Sequence, residues 1–214
     1  MIIKEVRTRH IRAPWVEPPV FGAVVPEHRD VLVAEIETDS GIVGMGYLIL
    51  LRGGVPTVRA CLEELVIPEI IGRDATDIEG IWQDLWKANY WIGRMGVTVL
   101  AQSVIDIALW DALGKRTGLP LHRLWGHCAD AIPAYGSGCW RGYGPEGMVE
   151  RAERYVEQGF KSIKMQCGRG TARAMKLLKH FLLIWQVVRP AKSFATLATG
   201  RPKTLLCLIS DPFG

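Results

Sequence analysis

Residues 97–115 hold only three charged side chains, Asp106, Asp111 and Lys115, and their apolar positions form no single stripe. A helix of that composition needs protein around most of its circumference, so the chain must supply layers to enclose it. Gly118 and Pro120 stop the helix. Ahead of it, residues 2–11 read as a first strand, and residues 13–30 as a long loop holding Pro14, Pro18, Pro19 and Pro26. Residues 31–37 and 42–50 read as two strands joined by turn chemistry at Asp39, Ser40 and Gly41, which makes a hairpin. A helix is predicted over residues 57–69. Thr76 followed by Glu79 reads as a capping box that opens another through Ile78, Ile81, Trp82, Leu85 and Trp86.

After residue 126 the pattern changes. Residues 131–137 read as a short strand, Pro145 starts a helix that ends at Gly159, and residues 161–166 read as a second strand. Strand, helix, strand in so short a span is a βαβ unit with parallel strands and a right-handed crossover. The charge changes as well. Residues 1–166 carry 18 basic and 21 acidic side chains, whereas residues 167–214 carry 8 basic ones and a single acid, Asp211. The net charge of +4 is thus the sum of two unlike compositions.

Five scattered cysteines without a C-x-x-C pair argue against a disulfide framework and a thiolate zinc site. Lys4, Glu5, Arg7 and Arg9 stand where a signal peptide needs an apolar core. The stretch 181–188 is far short of the ~20 apolar residues of a membrane helix. The expectation is a cytoplasmic protein with reduced thiols and no membrane span. GIVGMG at residues 41–46 looks like a dinucleotide fingerprint, but it lies in a hairpin and has the wrong spacing. His122, His127 and Cys128 lack zinc-like partner spacing.

Four segments together resemble the mandelate racemase and muconate lactonizing branch of the enolase superfamily. They are AQSVIDIALWDALGK at residues 101–115 with Gly118-Leu-Pro120 and Leu124-Trp-Gly126, ETDSGIVG at 37–44, IPAYGSG at 132–138 and GFKSIKMQ at 159–166. The resemblance implies an α+β N-terminal capping domain, a three-stranded antiparallel meander plus helices, over residues 1–126. The first βαβ of an incomplete TIM-type (β/α) barrel follows over 127–166, and a basic tail foreign to the family over 167–214. It further implies removal of a proton next to a carboxylate, with Mg2+ stabilising the enediolate and a small carboxylate such as a sugar acid as substrate. The chemistry needs that help, because fixed positive charge must meet the developing oxyanion.

Carried onto this sequence, Lys164 matches the first lysine of the family's Lys-x-Lys on the second barrel strand. Gln166 stands where the second, proton-abstracting lysine belongs. Alternation puts both on one strand face, with Ile163 and Met165 on the other. Lys164 also fits a solvated lysine at a strand end. Ser137 is placed to contact a substrate carboxylate or hydroxyl, and reads equally as a turn residue between two glycines. Residues 20–28 and 50–54 match two loops that close over substrate in relatives. His28, Arg29 and Arg52 are their polar candidates, each also readable as a plain surface residue.

The family's three acidic metal ligands, on the third to fifth barrel strands, find no match. Beyond Gln166 the only carboxylate side chain is Asp211, and a whole barrel takes about 250 residues. The expectation is therefore a chain with no metal ligands, inactive by itself, whose tail is out-of-frame translation and whose second barrel strand is an open parallel edge. Sugar-acid dehydration is the favoured ancestral chemistry, since Gln166 leaves a base on one substrate face only; racemisation and cycloisomerisation stay open. The alternative is a non-catalytic protein using residues 171–189 as a basic amphipathic helix against a membrane surface or an acidic partner. No nucleic-acid module accompanies the positive charge. The oligomeric state stays open, a homo-oligomer included.

Overall fold

Three strands, β1 (Ile3–Pro14), β2 (His28–Thr38) and β3 (Val43–Leu50), form an antiparallel sheet in the order β1-β2-β3, the expected meander. The computed structural model describes residues 1–20, 25–51, 53–168, 193–198 and 204–210. It divides into two units, residues 1–16 with 27–130, and residues 17–26 with 131–214. β1 runs further than predicted and takes in Pro14, which pairs with His28. Proline is tolerated there because it ends an edge strand, where no ladder hydrogen bond is lost. His28 and Arg29 consequently open β2 rather than lying in the loop. The predicted loop 13–30 shrinks at both ends.

The helix predicted over 57–69 starts earlier, as α1 (Val55–Cys61), and continues through a π turn (Leu62–Val66) into α2 (Ile67–Ile70). The π turn lies just ahead of Pro68, which has no N–H to offer the Glu64 carbonyl one turn back. The next helix, α3 (Ile78–Ala88), is capped by Asp77, whose side chain accepts from the Gly80 N–H at 3.2 Å. The predicted Thr76/Glu79 capping box does not form. The Thr76 N–H is instead taken by Asp74 at 3.0 Å, and Glu79 accepts from Gln83 at 2.7 Å. An aspartate one residue later does the same capping chemistry.

α4 (Val97–Thr117) ends at Gly118, whose φ of 67° supplies the left-handed stop. Its Ala101, Val104, Ile105, Ala108 and Leu109 join Leu32, Ala34 and Ile36 of β2 in the main core with the inner faces of α1 and α3. Two strand glycines let the helix lie on the sheet. A Cβ on Gly46 would sit 1.9 Å from the Val104 carbonyl oxygen, and one on Gly44 2.1 Å from that of Ala108. The glycines read as a failed dinucleotide fingerprint are thus the groove for α4. The helix also covers the free edge of β3. Asp111 accepts from the Met45 N–H at 2.7 Å, and Lys115 donates to the Val43 carbonyl at 2.7 Å. By length and composition α4 is the one described helix apolar enough to cross a bilayer, longer than the stretch singled out from the sequence. Its buried Ala, Ile and Leu side chains are those of a core helix. A four-residue helix, α5 (Leu121–Leu124), closes this unit, where Trp125 meets Trp110 edge to face at 5.3 Å.

In the other unit, β4 (Gly136–Cys139), α6 (Gly144–Glu157) and β5 (Ser162–Gly168) make the predicted βαβ, with β4 and β5 parallel. The first of these strands is shorter and later than the predicted 131–137, for residues 131–135 are exposed and outside any strand. Two further strands, β6 (Ser193–Ala198) and β7 (Thr204–Ser210), contradict the expected open edge. The sheet order is β4-β5-β7-β6, and β7 pairs antiparallel along β5 from Ser162 to Gly168. Unpaired N–H and C=O groups on a strand edge favour any extended segment that can complete the ladder. A (β/α) barrel would place a parallel strand there. The predicted amphipathic helix at 171–189 lies outside the described residues.

Candidate functional site

β5 divides its side chains cleanly. Ile163 and Met165 are fully buried with Cys139 of β4 and Met148 and Ala152 of α6. Lys164 and Gln166 therefore occupy the opposite face, half-buried. Ser137 is exposed and is the register partner of Lys164 in the parallel pair. The Lys164 ammonium lies 5.2 Å from the centre of the Tyr135 ring, a cation–π contact. Three sequence candidates, Ser137, Lys164 and Gln166, thus fall on neighbouring positions of one polar sheet face.

The glycines flanking Ser137 belong to packing rather than to a tight turn. A Cβ on Gly136 would sit 2.4 Å from the Tyr155 ring, and one on Gly138 2.3 Å from its hydroxyl oxygen. Tyr155 of α6 lies against the strand there and donates its hydroxyl to the Ser137 carbonyl at 3.0 Å. Burial raises the Tyr155 pKa. It also pushes the Cys139 thiol up to about 11, so that this cysteine is a packing residue and no nucleophile.

Residues 17–20 are fastened onto the same unit. Glu17 accepts from Arg154 at 2.7 Å and lies 3.7 Å from Arg151. The Arg154 hydrogen bond is the main reason the Glu17 carboxyl titrates below its ordinary range. The Tyr143 hydroxyl donates to the Pro18 carbonyl, and the Gly142 N–H to that of Val20 at 3.3 Å. Nothing in the local sequence signalled this anchoring, which depends on residues more than a hundred positions apart.

His28 and Arg29 belong to the other unit. His28 is exposed, and the Arg29 guanidinium sits 5.0 Å from the Trp15 ring centre. Arg52 lies outside the described residues. Beside Arg29, and missed from the sequence, Asp30 is buried and takes hydrogen bonds from Arg12 at 2.9 Å and His10 at 2.7 Å. Arg12 first and His10 second hold its carboxyl below the usual range. The period-two spacing of His10 and Arg12 carried that signal, but only the strand register brings Asp30 between them.

Among the described residues no three of His, Cys, Asp and Glu converge on a point where a metal could sit. His127 pairs with Asp130 at 3.0 Å, with the His122 ring 5.4 Å away. The polar face of β4 and β5 offers an ammonium, an amide and a hydroxyl. A magnesium ion takes oxygen ligands, carboxylates foremost, so these residues do not fit one.

The model of the mandelate racemase / muconate lactonizing enzyme N-terminal domain matches residues 4–126. A D-mannonate dehydratase of Sphingomonas sp. (strain SKA58) is 40% identical over 141 residues, which cover 65% of this chain and 34% of that enzyme. A racemase from Streptomyces coelicolor A3(2), solved with bound magnesium, superimposes with a TM-score of 0.78 at 29% identity, over 85% of this chain and 52% of that one. The L-talarate/galactarate dehydratase of Salmonella typhimurium LT2, solved with Mg and L-lyxarohydroxamate, gives 0.75 at 28% identity, over 83% and 47%. The chain spans about a third of the length of such curated relatives and about half of the solved chains. With that domain matched over more than half of its residues, the chain belongs to the mandelate racemase and muconate lactonizing enzyme family.

Proposed function

We propose that this protein supplies the cap and the first two barrel strands of an acid-sugar dehydratase-type enzyme, and that the polar face of β4 and β5 holds the substrate's carboxylate end. The observation that carries the reading is the placement of Lys164 beside Ser137 in parallel register, with Gln166 two residues on and the opposite face packed on α6. The Lys164 ammonium provides fixed positive charge for a carboxylate, and the Ser137 hydroxyl and Gln166 amide provide hydrogen bonds to hydroxyl groups. Gln166 has no proton-accepting base, so this face binds and polarises a substrate without abstracting its α-proton. The described residues bring together no carboxylate cluster that would hold magnesium. We further propose that this chain alone does not turn acid sugars over.

The test has two parts. A panel of aldonic and aldaric acids with added Mg2+, followed by proton NMR, is expected to show no product. Turnover that is lost on chelation overturns the proposed inactivity. Calorimetric titration of the same acids is expected to show binding that Lys164→Met weakens by roughly tenfold or more, the worth of one charge-assisted hydrogen bond. Affinity unchanged by Lys164→Met, or no binding at all, overturns the site.

A further inference from the structure

The residue just before β4 adds a fourth member to the polar face of β4 and β5. A Cβ on Gly136 would meet the Tyr155 ring of α6, and one on Gly138 its hydroxyl, so both glycines turn their bare side to the helix. In extended chain the residues alternating with them turn the other way. Ser137 is one of these. Tyr135 is the other, and the Lys164 ammonium 5.2 Å from its ring centre places it on the Ser137 side. The run Tyr-Gly-Ser-Gly over residues 135–138 thus turns two small residues toward the packed side, and an aromatic ring and a hydroxyl toward the open one. Tyr135 is 45% exposed, so its ring is a wall of the open face and not part of the core.

The choice of an aromatic neighbour matters for what the ammonium can do. A lysine side chain turns about four bonds and loses much rotamer freedom when its charge is fixed. A carboxylate is the common partner that fixes one, but it would neutralise the charge and close the face to an incoming acid. Among the described residues the Lys164 ammonium has no carboxylate partner; its contact is the Tyr135 ring. The negative face of an aromatic ring attracts a cation and leaves its charge whole. Lys164 is therefore ordered before a carboxylate arrives, and it keeps N–H donors for that carboxylate. The hydroxyl of Ser137, the register partner of Lys164, stands on the same side. The attraction belongs to the ring face, so phenylalanine can supply it and leucine cannot.

We propose that Tyr135 is a positioning residue that holds the Lys164 ammonium ready for a substrate carboxylate, a role that rests on the carboxylate site proposed for this face. Two measurements on the full chain test it. In the first, the lysines are dimethylated with 13C, which keeps their charge, and the Lys164 signal is assigned by its loss in Lys164→Arg. The Tyr135 ring should shift that signal away from the other lysines. Tyr135→Phe should keep the shift and Tyr135→Leu should abolish it. In the second, the unmodified protein is titrated calorimetrically with D-gluconate. Tyr135→Leu is expected to weaken binding about two- to fivefold, and Tyr135→Phe to leave it unchanged. Tyr135 lies outside any strand and is nearly half exposed, so both variants should match the far-ultraviolet circular dichroism of the wild type. Binding that falls in Lys164→Met but not in Tyr135→Leu overturns the positioning role and leaves the carboxylate site standing, as does a Lys164 signal without a ring shift. A wild type that binds no gluconate overturns the carboxylate site, and the positioning role with it.

Discussion

Replacing Gly46 with alanine tests how α4 is seated on the sheet. The added Cβ would stand 1.9 Å from the Val104 carbonyl oxygen and 2.9 Å from the Ala108 nitrogen, both backbone atoms that no rotamer change can move. Carbon normally keeps about 3.3–3.6 Å from a carbonyl oxygen, so strand and helix must part by roughly 1.4 Å. That movement stretches the 2.7 Å bonds by which Asp111 and Lys115 hold the β3 edge. Overpacking of this kind costs about 1–3 kcal/mol, and a clash with two fixed backbone atoms belongs at the upper end. Alanine recovers about 0.4–1 kcal/mol by restricting the unfolded chain. A net loss of about 2 kcal/mol lowers the melting temperature by roughly 4–8 °C for a chain of this size. Thermal and urea unfolding of the full chain, followed by circular dichroism, would measure it. Met45→Ala, at the half-exposed position next door, should cost distinctly less. A Gly46→Ala midpoint within a degree of wild type would refute the packing argument. So would rescue by Val104→Ala, since the opposing atom is the Val104 carbonyl and not its side chain.

Two further outcomes follow from the helix ends and from burial. Asp77→Ala should cost about 1 kcal/mol of stability through loss of the α3 cap, whereas Thr76→Ala should cost less; equal losses in urea titrations would restore Thr76 as the cap. Burial first, and the nearby Glu79 second, raise the Asp106 pKa. A raised folded-state value means that the stabilising contribution is present below the unfolded value near pH 3.9 and is lost as pH rises through the folded value. Asp106→Asn should therefore raise the unfolding midpoint at pH 7 and change little in acid, and a pH series showing the reverse order would contradict it.

What the sequence revealed follows the range of the interactions involved. The meander, α4 and the βαβ unit were legible because periods of two and of 3.6 residues and the stop at Gly118 are written in neighbouring positions. The division of β5 into a packed face and a polar face was legible for the same reason. The purposes of Gly44, Gly46, Gly136 and Gly138 were not, because each glycine answers to a side chain or carbonyl tens of residues away or on another element. Asp30 needed the β1–β2 register, and Glu17 needed Arg151 and Arg154. The Thr76 error was of a different kind, a choice between two adjacent capping residues that local pattern alone does not separate. The pairing of β7 along β5 was missed because a short apolar run does not announce its partner.

The fastening of Glu17 has a consequence for how this protein can be recombined. The backbone leaves one unit after Val16, returns after Pro26 and leaves again after Asp130. Cap and barrel start are therefore interlaced along the chain and are not beads in series. Exchanging residues 1–130 between relatives as a single cassette would import a foreign Glu17 onto a resident α6. Such a chimera inherits a working seat only if position 17 and positions 151 and 154 travel together, so the unit of modular inheritance here is set by an ion pair and not by a domain boundary.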